Sequence, residues 1–216
     1  MIKFVRTSSQ YLSTSGNYTV PFPSGTVMFW LTPFSFTSFN YLVIVGSETF
    51  SMRLNSSKQV QAGLLRHSAK KISSVSTLTA NIRYHVAVSY NDTGSQTTNS
   101  IYINGVLDKS DSDNDGTATT VPLIVGSASY IGEYLDGLME DLRIYDRVLP
   151  LEEIQTIYEV QGTDGIVDGL VGRWLMGEGA PTTVASSIKD ETGAADFGST
   201  NSPTYDNIRV KRRRVP

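Results

Sequence analysis

Residues 124–158 read IVGSASYIGEYLDGLMEDLRIYDRVLPLEEIQTIY. LIVG, residues 123–126, is a short apolar run closed by a glycine, and YLDGLMEDLRIY, residues 134–145, is a second strand signal. The period then changes. In LPLEEIQTIYE, residues 149–159, Ile154, Ile157 and Tyr158 recur at helical spacing and make one apolar face. Pro150 suits the first turn, where its missing N–H is harmless. Glu152 and Glu153 sit near the positive end of the helix dipole, and Gly162 is a natural stop. The stretch predicts strand, loop, strand and one short helix near 150–159 lying against a sheet.

Outward from there, strand signals dominate. GTVMFWLTP, residues 25–33, alternates Val27, Phe29 and Leu31 against Met28 and Trp30 until Pro33 ends the run. YLVIVG, residues 41–46, is a continuous apolar run, while residues 51–55 and 60–66 read as an exposed hairpin. Strands at 83–90 and 100–107 flank NDTGSQTTN, which reads as a loop around Gly94. Strands about ten residues apart, with turn chemistry between them, signal a sandwich or barrel. Composition agrees: of 216 residues, 39% are hydrophobic and 18% charged, with 26 Ser and 22 Thr. Such a supply suits strands with one wet face and disfavours a helical bundle. With no cysteine, disulfide frameworks, thiolate zinc sites and a cysteine nucleophile are excluded.

Residues 161–216 change character. GLVGRWLMGEG, residues 169–179, gives one more strand, followed by a Ser/Thr/Gly/Ala stretch through 206. A segment with one or two strands cannot bury a separate core, so 161–208 is expected to add strands to the body formed by 1–160. A basic tail, 209–216, closes the sequence. Arg209, Lys211, Arg212, Arg213 and Arg214 carry five of the eighteen positive charges. Setting those five aside takes the net charge from −3 to −8 on residues 1–208, so an acidic body precedes a basic tail. The tail reads as a solvated end, a nuclear-type signal or an electrostatic tether to an acidic partner or nucleic acid. Apart from it nothing suggests nucleic acid. No apolar run approaches the length needed to cross a membrane, and MIKFVRTSSQ lacks a signal-peptide core.

Several phrases now line up in order. GTVMFWLTP, RYHVAVSYND, SIYINGVL and above all residues 124–158 resemble the concanavalin A-like jelly rolls, in their laminin-G-like and pentraxin-like branch. The resemblance covers about residues 1–160. It implies an all-β fold, a two-sheet antiparallel jelly-roll sandwich. GLVGRWLMGEG followed by IKDETGAADFGSTNSP resembles that family's customary opening, which here comes last. A circular rearrangement is the simplest explanation; the alternative is a truncated second copy.

Glucanases of the resembled superfamily carry an E-x-D-x-(x)-E strand motif. Its nearest counterpart here is DGLMED, residues 136–141. In a regular strand Glu140 and Asp141 point to opposite faces, and Asp136 and Glu140 lie about 13 Å apart on one face. Glycosidase pairs are closer than that, at about 5–9.5 Å, so catalysis is not expected. Parity groups Glu140 with Leu138, Leu142 and Ile144, which would turn it to the core as a structural hydrogen-bond anchor with an unidentified partner. Asp111, Asp113 and Asp115 stand in D-x-D-x-D-G spacing, which reads either as an acidic solvated hairpin loop or as a Ca²⁺ site. Pentraxin-like relatives hold Ca²⁺ through acids in the loop matching 127–135, where only Glu133 is acidic here. His85 falls in a strand, His67 in a basic turn, and no G-x-S-x-G elbow accompanies them. Tyr130 and Tyr134 lie in the loop that forms the ligand rim in related folds, suited to stacking on a sugar. The segment PFSFTSFNY offers Phe34, Phe36, Phe39 and Tyr41 as a packed corner or a contact with a second subunit. The expectation is a non-catalytic surface module: a virion or phage decoration protein, or alternatively a glycan-binding lectin module. Its partners would be glycans, protein surfaces, virion neighbours or further copies of itself, and not membranes. No cofactor other than Ca²⁺ is expected.

Overall fold

A computed structural model describes residues 1–14, 16–45, 50–64, 71–114, 120–128, 132–177, 187–193 and 195–206, with backbone alone at 113, 114, 120 and 121. Its strands are β1 (Ile2–Phe4), β2 (Tyr11–Thr14), β3 (Tyr18–Thr19), β4 (Ser24–Pro33), β5 (Asn40–Val45), β6 (Phe50–Leu54) and β7 (Val60–Leu64). There follow β8 (Ile72–Ser73), β9 (Tyr84–Asp92), β10 (Gln96–Ile103), β11 (Val106–Asn114), β12 (Thr120–Val121), β13 (Leu123–Val125), β14 (Ser127–Ala128), β15 (Glu133–Tyr134) and β16 (Gly137–Tyr145). After helix α1 (Leu151–Glu159) come β17 (Leu170–Trp174), β18 (Ser187–Ile188), β19 (Phe197–Thr200) and β20 (Thr204–Tyr205).

Two antiparallel sheets pack face to face as a jelly-roll sandwich. The first runs β11-β10-β9-β4-β16-β1-β20, with β17 also paired to β16; the second runs β18-β19-β2-β13-β5-β6-β7-β8. Alternation decides which side chains meet between them. Val27, Phe29 and Leu31 of β4 point inward against Leu42 and Val45 of β5 and Met52 and Leu54 of β6, in one continuous core. Met28 points outward, yet it too is buried. Leu149, Ile154 and Ile157 lay the helix across Met28, Ala87, Tyr102 and Tyr145 on the outer face of the first sheet. Pro150 is the residue just before the helix (φ −64, ψ 156), so Leu151 is the first helical position.

Three local expectations need correction. Residues 51–55 and 60–66 are not an exposed hairpin: β6 and β7 are inner members of the second sheet, and Met52, Leu54, Val60 and Ala62 are core. The loop expected over 91–99 shrinks to residues 93–95, because β9 runs to Asp92 and β10 starts at Gln96. Strand pairing is rewarded there by hydroxyl pairs, Thr98–Ser112 and Ser100–Ser110 at 2.8 Å each. The same pairing extends β11 through Asn114, so Asp111 stands in a strand opposite Asn99 rather than in a loop.

The C-terminal segment pairs into both sheets. Trp174 lies opposite Leu142, is fully buried, and donates its indole N–H to the Ala195 carbonyl at 2.8 Å. Phe197 tilts against it at 4.7 Å between ring centres. The outward backbone of β17 is capped by a turn: Arg173 N–H donates to Asp190 Oδ1 at 2.9 Å, and Glu191 N–H to the Arg173 carbonyl at 2.8 Å. β20 pairs with β1, and Asp206 N–H donates to the Met1 carbonyl at 3.0 Å.

Candidate ligand-binding rim

The rim begins at Gly126, which ends β13 with a positive φ of 86°. A Cβ there would meet the Phe4 ring at 2.7 Å, so both conformation and space call for glycine. The chain turns over the outer face of the second sheet. Gly126 N–H donates to the Leu42 carbonyl at 3.0 Å, and Leu135 N–H to the Gly126 carbonyl at 2.8 Å. Between these anchors β14 and β15 pair, with Tyr134 opposite Ser127 and Glu133 opposite Ala128. Ala128 packs on Tyr41 and Ile44, so the hairpin roofs part of β5. Tyr134 is half-buried at its edge. Tyr130 lies outside the described residues.

A second brace comes from Asn40, fully buried at the start of β5. Its side-chain amide donates to the Ser35 and Ser38 carbonyls at 3.2 Å, while its Oδ1 accepts from Asp136 N–H at 3.1 Å. Phe34 N–H donates to the Asp136 carbonyl at 2.8 Å. Turn 34–39 and the base of the hairpin are thus fastened together.

Beside this rim runs a polar row. Cross-strand register sets Tyr41, Arg53, Gln61 and Ser73 side by side on the outer face of β5, β6, β7 and β8. Arg53 Nη1 donates to the Tyr41 hydroxyl at 2.9 Å and Arg53 Nε to Gln61 Oε1 at 3.0 Å. Gln61 Nε2 donates to Ser73 Oγ at 3.0 Å. The guanidinium lies 3.9 Å from the Phe39 ring centre. Phe39, Arg53, Gln61, Ser73 and Tyr134 are all half-buried, so aromatic faces and amide, guanidinium and hydroxyl groups share one partly wet surface. That is the equipment for stacking on a sugar ring and hydrogen-bonding its hydroxyls. Arg53 and Gln61 were missed in the sequence; their signal was the alternation in SMRLN and VQAGL, with each polar residue between inward apolar ones.

The acids of β16 belong to the opposite side of the molecule. Asp141 adopts a left-handed φ of 48°, and the pairing of β16 with β4 shifts register between Glu140 and Arg143. This bulge breaks the parity expected for Glu140: Met139 and Leu142 both point inward, while Glu140 shares the outer face with Arg143 and Tyr145. Glu140 sits opposite Trp30, and its Oε1 accepts from Arg83 Nε at 2.6 Å. Arg83 lies 3.6 Å above the Trp30 ring and reaches Gln161 Oε1 at 2.6 Å. Arg143, 1% exposed, donates to Asp141 at 2.8 Å, to Asp164 at 3.0 Å and to the Gly162 carbonyl at 2.7 Å. Arg173 donates to the same Asp141 at 2.9 Å. These carboxylates are all engaged by guanidinium groups.

For Asp111, a Lys109 ammonium stands 3.4 Å away. Asp113 is placed by backbone alone, opposite Thr97, and Asp115 lies outside the described residues. Among the described residues no three His, Asp or Glu side chains gather as a metal cage. No helix among them is long and apolar enough to cross a membrane.

A model of the concanavalin A-like lectin/glucanases superfamily, of laminin-G type, matches residues 6–155. The chain belongs to this superfamily. No curated protein sequence matches the chain. Among solved structures, a candidate carbohydrate-binding protein from Bacteroides ovatus superposes with a TM-score of 0.70 at 17% identity. That match covers 95% of this chain but 61% of the Bacteroides protein, so the chain spans less than two thirds of it. The heptameric SAP-like pentraxin from Limulus polyphemus gives 0.55 at 19% identity, covering 91% of this chain and 89% of that one. A Trypanosoma rangeli sialidase gives 0.52 at 16% identity over 65% of this chain and 24% of its own. At such identities the likeness is one of fold.

Proposed function

We propose that this concanavalin A-like chain is a non-catalytic carbohydrate-recognition module. It would bind through the outer face of its second sheet, with Tyr134 and Tyr130 at the rim. The observation that carries the reading is the row Tyr41–Arg53–Gln61–Ser73 beside Phe39 and the β14–β15 hairpin. The carbohydrate-binding description of the Bacteroides ovatus relative supports it. The engagement of Glu140, Asp141 and Asp164 by arginines supports a non-catalytic role, since none stands as a spaced acid–base pair in a groove.

A glycan array probed with the whole chain tests the proposal. Binding should fall at least about tenfold in Gln61→Ala and in Tyr134→Ala, while melting changes little. A silent array, or undiminished binding in both variants, would refute it. A second reading is a structural module on a virion surface, assembled as homo-oligomers; Val106 (63% exposed) and Leu107 (48% exposed) at the β10–β11 turn favour such contacts. Stable oligomers by light scattering together with a silent array would select that reading.

A further inference from the structure

The strands of the second sheet carry almost no charge. Its eight strands, β18, β19, β2, β13, β5, β6, β7 and β8, hold a single charged side chain, Arg53. The sequence has eighteen Lys and Arg and twenty-one Asp and Glu, so charge is plentiful elsewhere. Arg53 is also held in place. Its guanidinium lies 3.9 Å from the Phe39 ring centre, and it donates to the Tyr41 hydroxyl at 2.9 Å and to Gln61 Oε1 at 3.0 Å. Fixing so long a side chain costs rotamer entropy, and here the folded protein has already met that cost. A ligand therefore finds the cation preorganised.

This cation lacks the partner that others have. Arg83 pairs with Glu140, Arg143 with Asp141 and Asp164, Arg147 with Glu153, and Arg173 with Asp141. Among the described residues no carboxylate pairs with Arg53, the rim acids Glu133 and Asp136 included. Its Nη2 makes no hydrogen bond and is not buried.

The direction of the hydrogen bonds points the same way. A guanidinium can only donate, so Gln61 turns its carbonyl oxygen to Arg53 and its amide nitrogen to Ser73. Tyr41, Gln61 and Ser73 each already accept a bond from a neighbour in the row. The row has mainly donors left to offer: Arg53 Nη2 and the second hydrogen of Gln61 Nε2. A sugar hydroxyl both gives and takes hydrogen bonds, whereas a carboxylate or sulfate only accepts and brings the opposite charge.

We propose that the row selects acidic sugars: Arg53, held by Phe39, Tyr41 and Gln61, receives the ligand's carboxylate or sulfate on Nη2. This deepens the recognition reading above and rests on it.

The test compares matched sugars on the whole chain: sialyllactose with lactose, oligogalacturonate with its methyl ester, and sulfated with unsulfated galactose. In at least one pair the acidic member should bind about tenfold tighter or more at low salt, with the margin shrinking toward about 0.5 M sodium chloride. A margin in the first two pairs names a carboxylate, and one in the third a sulfate. Arg53→Gln should erase the margin. Lys71→Gln, and replacement of the five basic residues of 209–214 by Gln, should keep it. A margin that survives Arg53→Gln, or that vanishes with either control, would overturn the proposal. If Arg53→Gln lowers the melting temperature, Arg53→Lys decides: it keeps the charge, so the margin should persist, and its loss overturns the proposal. Oligoglutamate binding as tightly as the acidic sugars would also overturn it, since charge alone would then be read. Neutral sugars that bind as tightly as acidic ones in every pair refute this inference and leave the recognition reading standing. Silence with every sugar refutes both, so the two failures are distinguishable.

Discussion

His85 offers a direct test of the packing on the outer face of the first sheet. It lies in β9 opposite Trp30, 1% exposed, with ring centres 5.0 Å from Trp30 and 6.2 Å from Tyr158. Burial, and after it the Arg143 guanidinium, lowers its pKa from 6.5 to about 3. Between those two values the unfolded chain binds a proton that the folded chain refuses. Stability therefore falls as pH falls through that window. Each pH unit inside it is worth about 1.4 kcal/mol, so going from pH 7 to pH 5 costs about 2 kcal/mol. That is a sizeable share of the stability of an ordinary domain.

Urea denaturation at pH 7 and pH 5 reads the effect. His85→Phe keeps a ring against Trp30 and Tyr158 and cannot be protonated. Its stability should change by less than about 1 kcal/mol between the two pH values. The other histidine, His67, lies outside the described residues; His67→Gln provides the control and should retain the wild-type loss. If His85→Phe lost stability between pH 7 and 5 as steeply as the wild type, burial of a neutral His85 would be the wrong account.

Arg143→Met should cost about 3–5 kcal/mol in a urea titration, because Asp164 would be left buried beside no cation and Asp141 would keep only Arg173. Trp174→Ala should cost about 3–5 kcal/mol and lower the melting temperature, since it empties the space between Phe197 and Tyr18. Burial alone would raise the Asp164 pKa, but hydrogen bonds from Arg143 and the Ile166 amide bring it below the ordinary carboxylate value. Its contribution is therefore present above about pH 4 and is lost as pH falls through the lower folded value. Melting of Asp164→Asn should vary less with pH below 4 than that of the wild type.

Much of the sandwich could be read from period alone. The alternation of Val27, Phe29 and Leu31 against Met28 and Trp30 survives intact, because β4 is a central strand with both faces covered. Errors gathered where a local signal competes with pairing. Gly, Asn, Asp and Thr in NDTGSQTTN favour turns, yet the ladder of hydroxyl pairs and register to β9 and β11 keeps most of those residues extended. Asp111 was read as loop for the same reason. The rim was visible only as a loop with two tyrosines. Its braces, Asn40 with Asp136 and Arg6 with Ser38, join residues 96 and 32 positions apart, and no local pattern marks such pairs.

The bulge at Asp141 escaped detection because strand parity assumes a regular pleat. Asp tolerates a left-handed φ better than most residues, so one position absorbs the change. The consequence is large. Without it, regular alternation continued from inward Met139 would turn Arg143 into the apolar core and Leu142 and Ile144 out of it. With it, Arg143 reaches outward to Asp141, Asp164 and the Gly162 carbonyl, and fastens the chain that leaves α1. Arg83 adds a second fastening from Glu140 to Gln161, just past the helix. The first sheet's outer face is thereby closed by a helix held with both apolar contacts and buried ion pairs. Its arginines and carboxylates face one another. On the second sheet no helix among the described residues covers the row from Tyr41 to Ser73; Tyr41 is buried, while Arg53, Gln61 and Ser73 stay half-buried. The register shift of one strand thus closes one face of the sandwich, and the recognition proposed above would fall to the other.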